Sequence, residues 1–401
     1  MLTRDGYTPV LLVCEGWDPP EDTIFHTTKT KYLYPFAQHD PSSKAEDIDE
    51  TVLLAYNQLD EVLPDGAIVI THDLIFLPDY TILNIASRKL ATDRPSISWI
   101  HEIHSATNPD IVGQERSMYG EKYVEALNSP FPQSVIAYPN AYDISRVARN
   151  FNFEEDKIVE IPHSTDPTEG MHPMVKRLYD VKKLGDVEVL MILPIRLDRG
   201  KYAEANVRLI SACIQVGLSA HLVFCDFQST GDDKVVYRED LKRLATDLGS
   251  IEHITFMSEF DDMASMEIPH EVVLDLFSLS NVFLLASKSE TYSLIAQEAM
   301  LKGNFAILNQ DFAPFRQIYG KNALYKQFDG ANIAIDGYNG EITTKQNNII
   351  EYYQHMAIAL RYYLENDKVL RAKTWVRTQR NPDAVFRNFL EPLLGFKHED
   401  S

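Results

Sequence analysis

The feature that most constrains the fold is an apolar run, Asn281-Val282-Phe283-Leu284-Leu285-Ala286, that passes straight into a short polar loop and then a helix. A short apolar run bounded by polar residues reads as a buried strand, and from about Leu294 the apolar spacing turns helical. The loop carries Glu290 and the helix carries Glu298. A helix N-terminus that follows a strand offers unpaired amides to an anion. Carboxylates on either side of that anion suit neutral, hydroxyl-rich groups. A phosphate at the helix mouth with sugar hydroxyls beside it describes a nucleotide-sugar. Taken alone, two glutamates at this spacing are a weak signal, and an ordinary strand-loop-helix with surface glutamates is the better reading.

The same strand-then-helix alternation runs along the chain and predicts parallel sheets. Strands are expected at Thr8–Cys14, Ala67–Asp73, Ser96–His104 and Ser134–Tyr138. A strand and turn at Lys157–Pro167 close the first half, and Pro19 to His26 form a loop. Helices are expected from Ser43 to Leu63, from Pro78 to Leu90 and from Tyr138 to Asn150. Pro167 to Gly185 reads as a linker, and Glu188–Pro194 opens the second half. Helices at Tyr352–Leu364, Leu370–Arg380 and Pro382–Leu394 end the chain. At 401 residues two cores are the default. The divisions are 1–170, joined by a terminal helix 382–401, and 171–381.

Net charge and cysteine usage exclude several classes. A formal charge of -21 repels nucleic-acid phosphate and anionic lipid, so neither is the expected partner. No apolar run approaches the roughly 20 residues of a membrane span, and the N-terminus lacks the order of a signal peptide. Cys14, Cys213 and Cys225 have neither zinc spacing nor a disulfide framework, which predicts a cytoplasmic, reducing location.

The segment from Val272 through Ser287, Glu290 and Glu298-Ala299-Met300 resembles the donor-site signature of retaining glycosyltransferases of family 4. The order of helix, strand, Ser, Glu, helix and Glu-Ala-Met matches throughout. The resemblance implies the GT-B fold, with two Rossmann-like α/β domains on parallel sheets facing a cleft. It implies an enzyme that moves a sugar from a UDP- or GDP-sugar to a hydroxyl acceptor, with no other cofactor. Arg196-Leu197-Asp198-Arg199-Gly200-Lys201 resembles the family's Arg-Leu, three residues, Lys-Gly motif, with Tyr202 in place of the last glycine. Two cations fixed at a strand end offset the charge that grows on a departing diphosphate. No Asp-x-Asp stands on a suitable strand end, so no metal is expected. The resemblance implies that Glu298 accepts from ribose hydroxyls and Glu290 binds hydroxyls of the donor sugar. Tyr292, Ser293 and Leu294 are implied at the distal phosphate, with Ser293 where the family usually has glycine.

Three histidines stand at strand ends. Trp99-Ile100-His101-Glu102 resembles the family's apolar-apolar-His-acid motif, which implies that His101 meets the donor sugar, in preference to His104. His72 is an expected acceptor contact. The text before Thr8 resembles the end of the family's first helix. The chain is therefore expected to be a shortened form lacking the first strand and glycine loop, with Thr8–Cys14 pairing directly with Ala67–Thr71 or a gap filled from elsewhere. A catalytically silent GT-B protein that binds a nucleotide or protein partner is the alternative, and a nucleotide-sugar epimerase is a third.

Overall fold

The computed structural model describes residues 6–18, 28–33, 45–75, 77, 80–106, 129–226, 232–262, 264, 267–288, 290–328 and 346–395. The loop expected at 19–26 lies outside them. Two compact units divide the chain: Met1–His163 with Val385–Ser401, and Ser164–Ala384. Both are α/β with wholly parallel pairing.

In the first unit, β3 (Ile68–His72), β4 (Ser98–Glu102), β5 (Ser134–Tyr138) and β6 (Ile158–Glu160) form a sheet in that order. The helix Ala45–Val62 packs against the helix Thr81–Asp93, and its Ile48, Val52, Ala55 and Leu59, which recur at helical spacing, are all buried. With Trp99 and Ile136 they share one core. On a second cluster, Val385, Phe386 and Leu394 of the C-terminal segment pack with Ile100, Ala137 and Ile161.

Two strands stand outside this sheet. β1 (Val10–Cys14) pairs with β2 (Lys29–Leu33), from Val10 opposite Lys29 to Cys14 opposite Leu33. Among the described residues no ladder joins β1 to β3, so the direct pairing expected of these two strands is not made. β2 was not anticipated from sequence. Its run Lys29-Thr30-Lys31-Tyr32-Leu33 alternates charged and β-capable residues and buries only Leu33 fully.

Among the described residues the second unit holds six strands in the order β12-β11-β10-β7-β8-β9. They are β7 (Val189–Leu193), β8 (Ala220–Phe224), β9 (Ile254–Phe256), β10 (Val282–Leu285), β11 (Phe305–Asn309) and β12 (Leu324–Lys326). The chain lays β7, β8 and β9 outward to one side, then returns to place β10 on the other side of β7. That is the doubly wound order, with its switch point between β7 and β10. Every residue of β7 and β10 is buried, as strands covered on both faces require. Burying each large β10 side chain stabilises by roughly 1.5–3 kcal/mol. Asn281 fixes the junction. Its Oδ1 accepts from Leu190 N at 3.0 Å, and its Nδ2 donates to Glu188 O at 2.7 Å and Thr374 Oγ1 at 2.9 Å.

The stretch read as a linker is partly helix. Pro173–Val181 begins with proline, whose missing N–H costs nothing there, and buries Met174, Val175, Leu178 and Tyr179 in the second unit's core. The first unit accordingly ends at His163. Towards the end of the chain, helices span Gln346–Asn366 and Lys368–Gln379. Among the described residues no helix is long and apolar enough to cross a membrane.

Candidate functional site

At a switch point, the loops after the two central strands diverge and leave a crevice beyond their C-terminal ends. The loop after β7 carries Arg196 and Lys201, and the loop after β10 carries Glu290 before the helix Leu294–Leu301. β7 and β10 are parallel neighbours, with Val282 opposite Met191, so both loops leave the same edge. They are also tied together: Lys288 N donates to Gly200 O at 3.1 Å, and the Lys288 ammonium lies 5.3 Å from the Tyr202 ring centre.

The structure brings Lys201 and Glu290 together. Lys201 Nζ donates to Glu290 Oε1 at 2.5 Å, and both side chains are largely covered, 25% and 15% exposed. Arg196 is exposed and has no ion-pair partner among the described residues. Its neighbour Arg199 is committed elsewhere, to Asp240 and the face of Tyr237.

The turn into the helix is held from beneath. Tyr319 Oη donates to Ser293 O at 2.7 Å and lies 3.0 Å from Tyr292 O. Ser293, at the helix N-cap, has φ 67 and ψ 73, in the left-handed region that favours glycine, and its hydroxyl makes no capping bond. Leu294 and Tyr292 are exposed, and Gln297 Nε2 donates to the Tyr292 hydroxyl at 3.0 Å. Along the helix, Glu298 Oε1 meets His270 Nε2 at 3.0 Å, while Glu298 Oε2 is buried with no hydrogen-bond partner among the described residues. A buried carboxylate oxygen without a donor is costly unless a ligand supplies one. His270 and Tyr319 were missed in the sequence. His270 opens the helix before β10 and Tyr319 closes a later one, so nothing local tied either to this turn.

In the first unit, His101 is not presented at the sheet edge. It is 0% exposed, its ring 4.2 Å from Phe131 and 6.2 Å from Trp99 between centres. Nδ1 lies 2.8 Å from Thr71 Oγ1, and Nε2 is buried without a partner among the described residues. Burial, and then the Arg88 guanidinium nearby, push its pKa down to about 3, so the ring is neutral. The ring expected to meet a donor sugar is thus buried here, packed beside Trp99 and Phe131. Of the three strand-end histidines, His72 and His104 are the exposed ones. His72 Nδ1 lies 3.2 Å from Glu102 Oε2, and the His104 ring stacks 5.0 Å from that of His163.

No protein-family model matches the chain, and no curated protein does. Solved structures do match over most of its length. "Crystal Structure of Glycosyltransferase from Rickettsia africae ESF-5" is 13% identical, over 98% of this chain and 90% of that one, with a TM-score of 0.34. A UDP-forming trehalose-phosphate synthase from Burkholderia xenovorans is 16% identical, over 86% of this chain and 78% of its own, at 0.34. An E. coli structure titled "Trehalose-6-phosphate from E. coli bound with UDP-2-fluoro glucose" is 12% identical, over 97% and 100%, at 0.36. Likenesses of this size carry no argument about activity.

Proposed function

We propose that the protein is a glycosyltransferase that takes a sugar from a nucleotide-diphosphate sugar and passes it to a hydroxyl acceptor with retention, without a metal at the phosphates. The observation that carries this reading is the Lys201–Glu290 pair between the loops that follow β7 and β10, with exposed Arg196 on the first loop and Glu298, one buried oxygen unpartnered among the described residues, on the helix that follows the second.

In this reading the diphosphate meets Arg196 and the amides of the turn at Tyr292, Ser293 and Leu294. The ribose donates a hydroxyl proton to Glu298 Oε2, which supplies the donor that oxygen lacks. The sugar lies against Glu290 and Lys201. As the bond from the sugar's anomeric carbon to the diphosphate oxygen breaks, its electron pair leaves with the diphosphate, where Arg196 offsets the growing charge. The acceptor hydroxyl forms the new bond on the same face and gives its proton to a departing diphosphate oxygen. The first unit holds the acceptor, with His72 at its exposed sheet edge. His101 enters as a residue that shapes this edge from within. Cys213 and Cys225 are buried free thiols, in keeping with a reducing, cytoplasmic setting.

A thermal-shift panel of UDP, GDP and their sugars tests the reading, because a ligand that binds only the folded chain raises its melting temperature. We expect one nucleotide series to raise it, and Glu298→Gln to reduce that rise. Turnover of the sugar nucleotide that shifts the melt then separates an enzyme from a silent binding protein. No shift from any nucleotide would overturn both.

A further inference from the structure

We infer that His72, Glu102 and His104 form a binding site for a first-row divalent cation of the zinc class, with a coordination position left for a small oxygen ligand. The site belongs to the first unit, whereas the cations proposed to face phosphate belong to the second. It goes beyond the transferase reading and does not rest on it.

The backbone builds the cluster. β3 and β4 are parallel neighbours in a register that sets His72 directly beside Glu102. His104 follows Glu102 by two residues, which in extended chain returns to the same face. One ligand atom from each residue can be chosen so that all three lie within 4.8 Å of one another. His72 Nδ1 and Glu102 Oε2 are already 3.2 Å apart. Ligands about 2.0–2.1 Å from a tetrahedral zinc stand roughly 3.3 Å from each other, so this pair has the spacing a shared metal needs. His72 and His104 are exposed, so their rings are free to turn toward a shared ion.

The frame beneath is fixed. Asp73 N donates to Glu102 O at 2.8 Å, and the Asp73 carboxylate accepts from His104 N at 2.9 Å. These bonds tie the two strand ends that carry all three donors, which favours a metal over a pair of mobile side chains. The His72 and His104 rings lie nearly parallel, 7° apart, at 6.3 Å between centres. Two imidazoles and one carboxylate are a borderline donor set. It suits zinc, cobalt or nickel, whereas magnesium and calcium call for oxygen ligands. Three protein ligands leave a fourth position open to water or to an oxygen of a bound molecule. His163 stacks on His104, 5.0 Å between ring centres.

Titration of the full chain with zinc and, separately, cobalt chloride by calorimetry and visible absorption tests the inference. We expect one tight equivalent, with cobalt giving the strong visible bands of a low-coordinate nitrogen and oxygen site. His72→Ala, His104→Ala and the near-isosteric Glu102→Gln should each weaken binding about tenfold or more. His355→Ala, on an exposed helical pair with Glu351, should not. Magnesium in excess should not displace the cobalt. Absence of a tight equivalent in the wild-type chain, or unchanged affinity in the three cluster variants, would overturn the inference and leave His72–Glu102 a surface ion pair. Melting curves of each variant confirm that it is folded.

Discussion

Acidification should weaken each unit through one buried histidine, and the size of the effect follows from their surroundings. His101 in the first unit and His221 in the second are both buried. Burial comes first among the causes, with Arg88 beside His101 and Lys182 and His253 beside His221, and both pKa values are held down to about 3. In the unfolded chain each imidazole titrates near 6.5. Between those values the unfolded state binds a proton that the folded state does not, so stability falls as pH falls through this window. Going from a pH of about 7 to about 5 costs about 2 kcal/mol per histidine, since each pH unit below 6.5 costs about 1.4 kcal/mol. Asp226 in the second unit acts in the opposite sense. Burial raises its pKa, so its protonation favours the folded state. The assay is therefore a difference. Urea unfolding of wild type, His101→Gln and His221→Gln is measured at both pH values, and each variant should lose about 2 kcal/mol less on acidification than wild type. The absolute stability of a variant does not enter. Equal losses in wild type and variants would show that neither imidazole is held neutral by the fold.

Two further outcomes follow from the donor crevice. Arg196→Ala should weaken binding of the nucleoside diphosphate by roughly 1.5–3 kcal/mol and leave the free nucleoside unchanged, measured by calorimetry with both ligands. Ser293→Gly should raise stability by about 0.5–1 kcal/mol in urea unfolding. The left-handed turn costs an L-residue about 1–2 kcal/mol, glycine's extra freedom in the unfolded chain takes back part of the gain, and no capping bond is lost.

The second unit was the more legible in sequence because its signals are contiguous. β7 and β10 are unbroken apolar runs; Arg196 and Lys201 sit on the loop after the first, and Glu290 and Glu298 on the loop and helix after the second. Strand order then brings the two loops together without further information. The first unit was harder. β2 carries two lysines in five residues and places only Leu33 in the core, so apolarity does not reveal it. Pro173–Val181 lay hidden in a stretch whose proline and glycines suggested a connection. The burial of His101 does have a signal in the sequence. Alternation along β4 puts it on the face of Trp99, and a buried tryptophan two residues away marks the core side. Resemblance of a four-residue motif gave the histidine's position along the strand but not the environment of its ring.

The pairing of Lys201 with Glu290 alters how the crevice divides its work. Both cations were first read as phosphate ligands. An ammonium held against a largely covered carboxylate is a poor one, because an arriving phosphate would meet the glutamate's charge as well. A sugar hydroxyl meets no such conflict. It can accept from Lys201 Nζ and donate to a Glu290 oxygen at the same time, so the pair remains nearly neutral and keeps its own contact. The exposed guanidinium of Arg196, with no ion-pair partner among the described residues, has the opposite character and is suited to the diphosphate. Glu298 completes the division. One oxygen is occupied by His270 and the other is buried and waiting for a donor, which a ribose hydroxyl provides and a phosphate oxygen cannot. In the proposed reading, charge thus sorts these residues into one anion-seeking group and two hydroxyl-seeking ones, the pattern that a sugar joined to a nucleoside through a diphosphate would present in return.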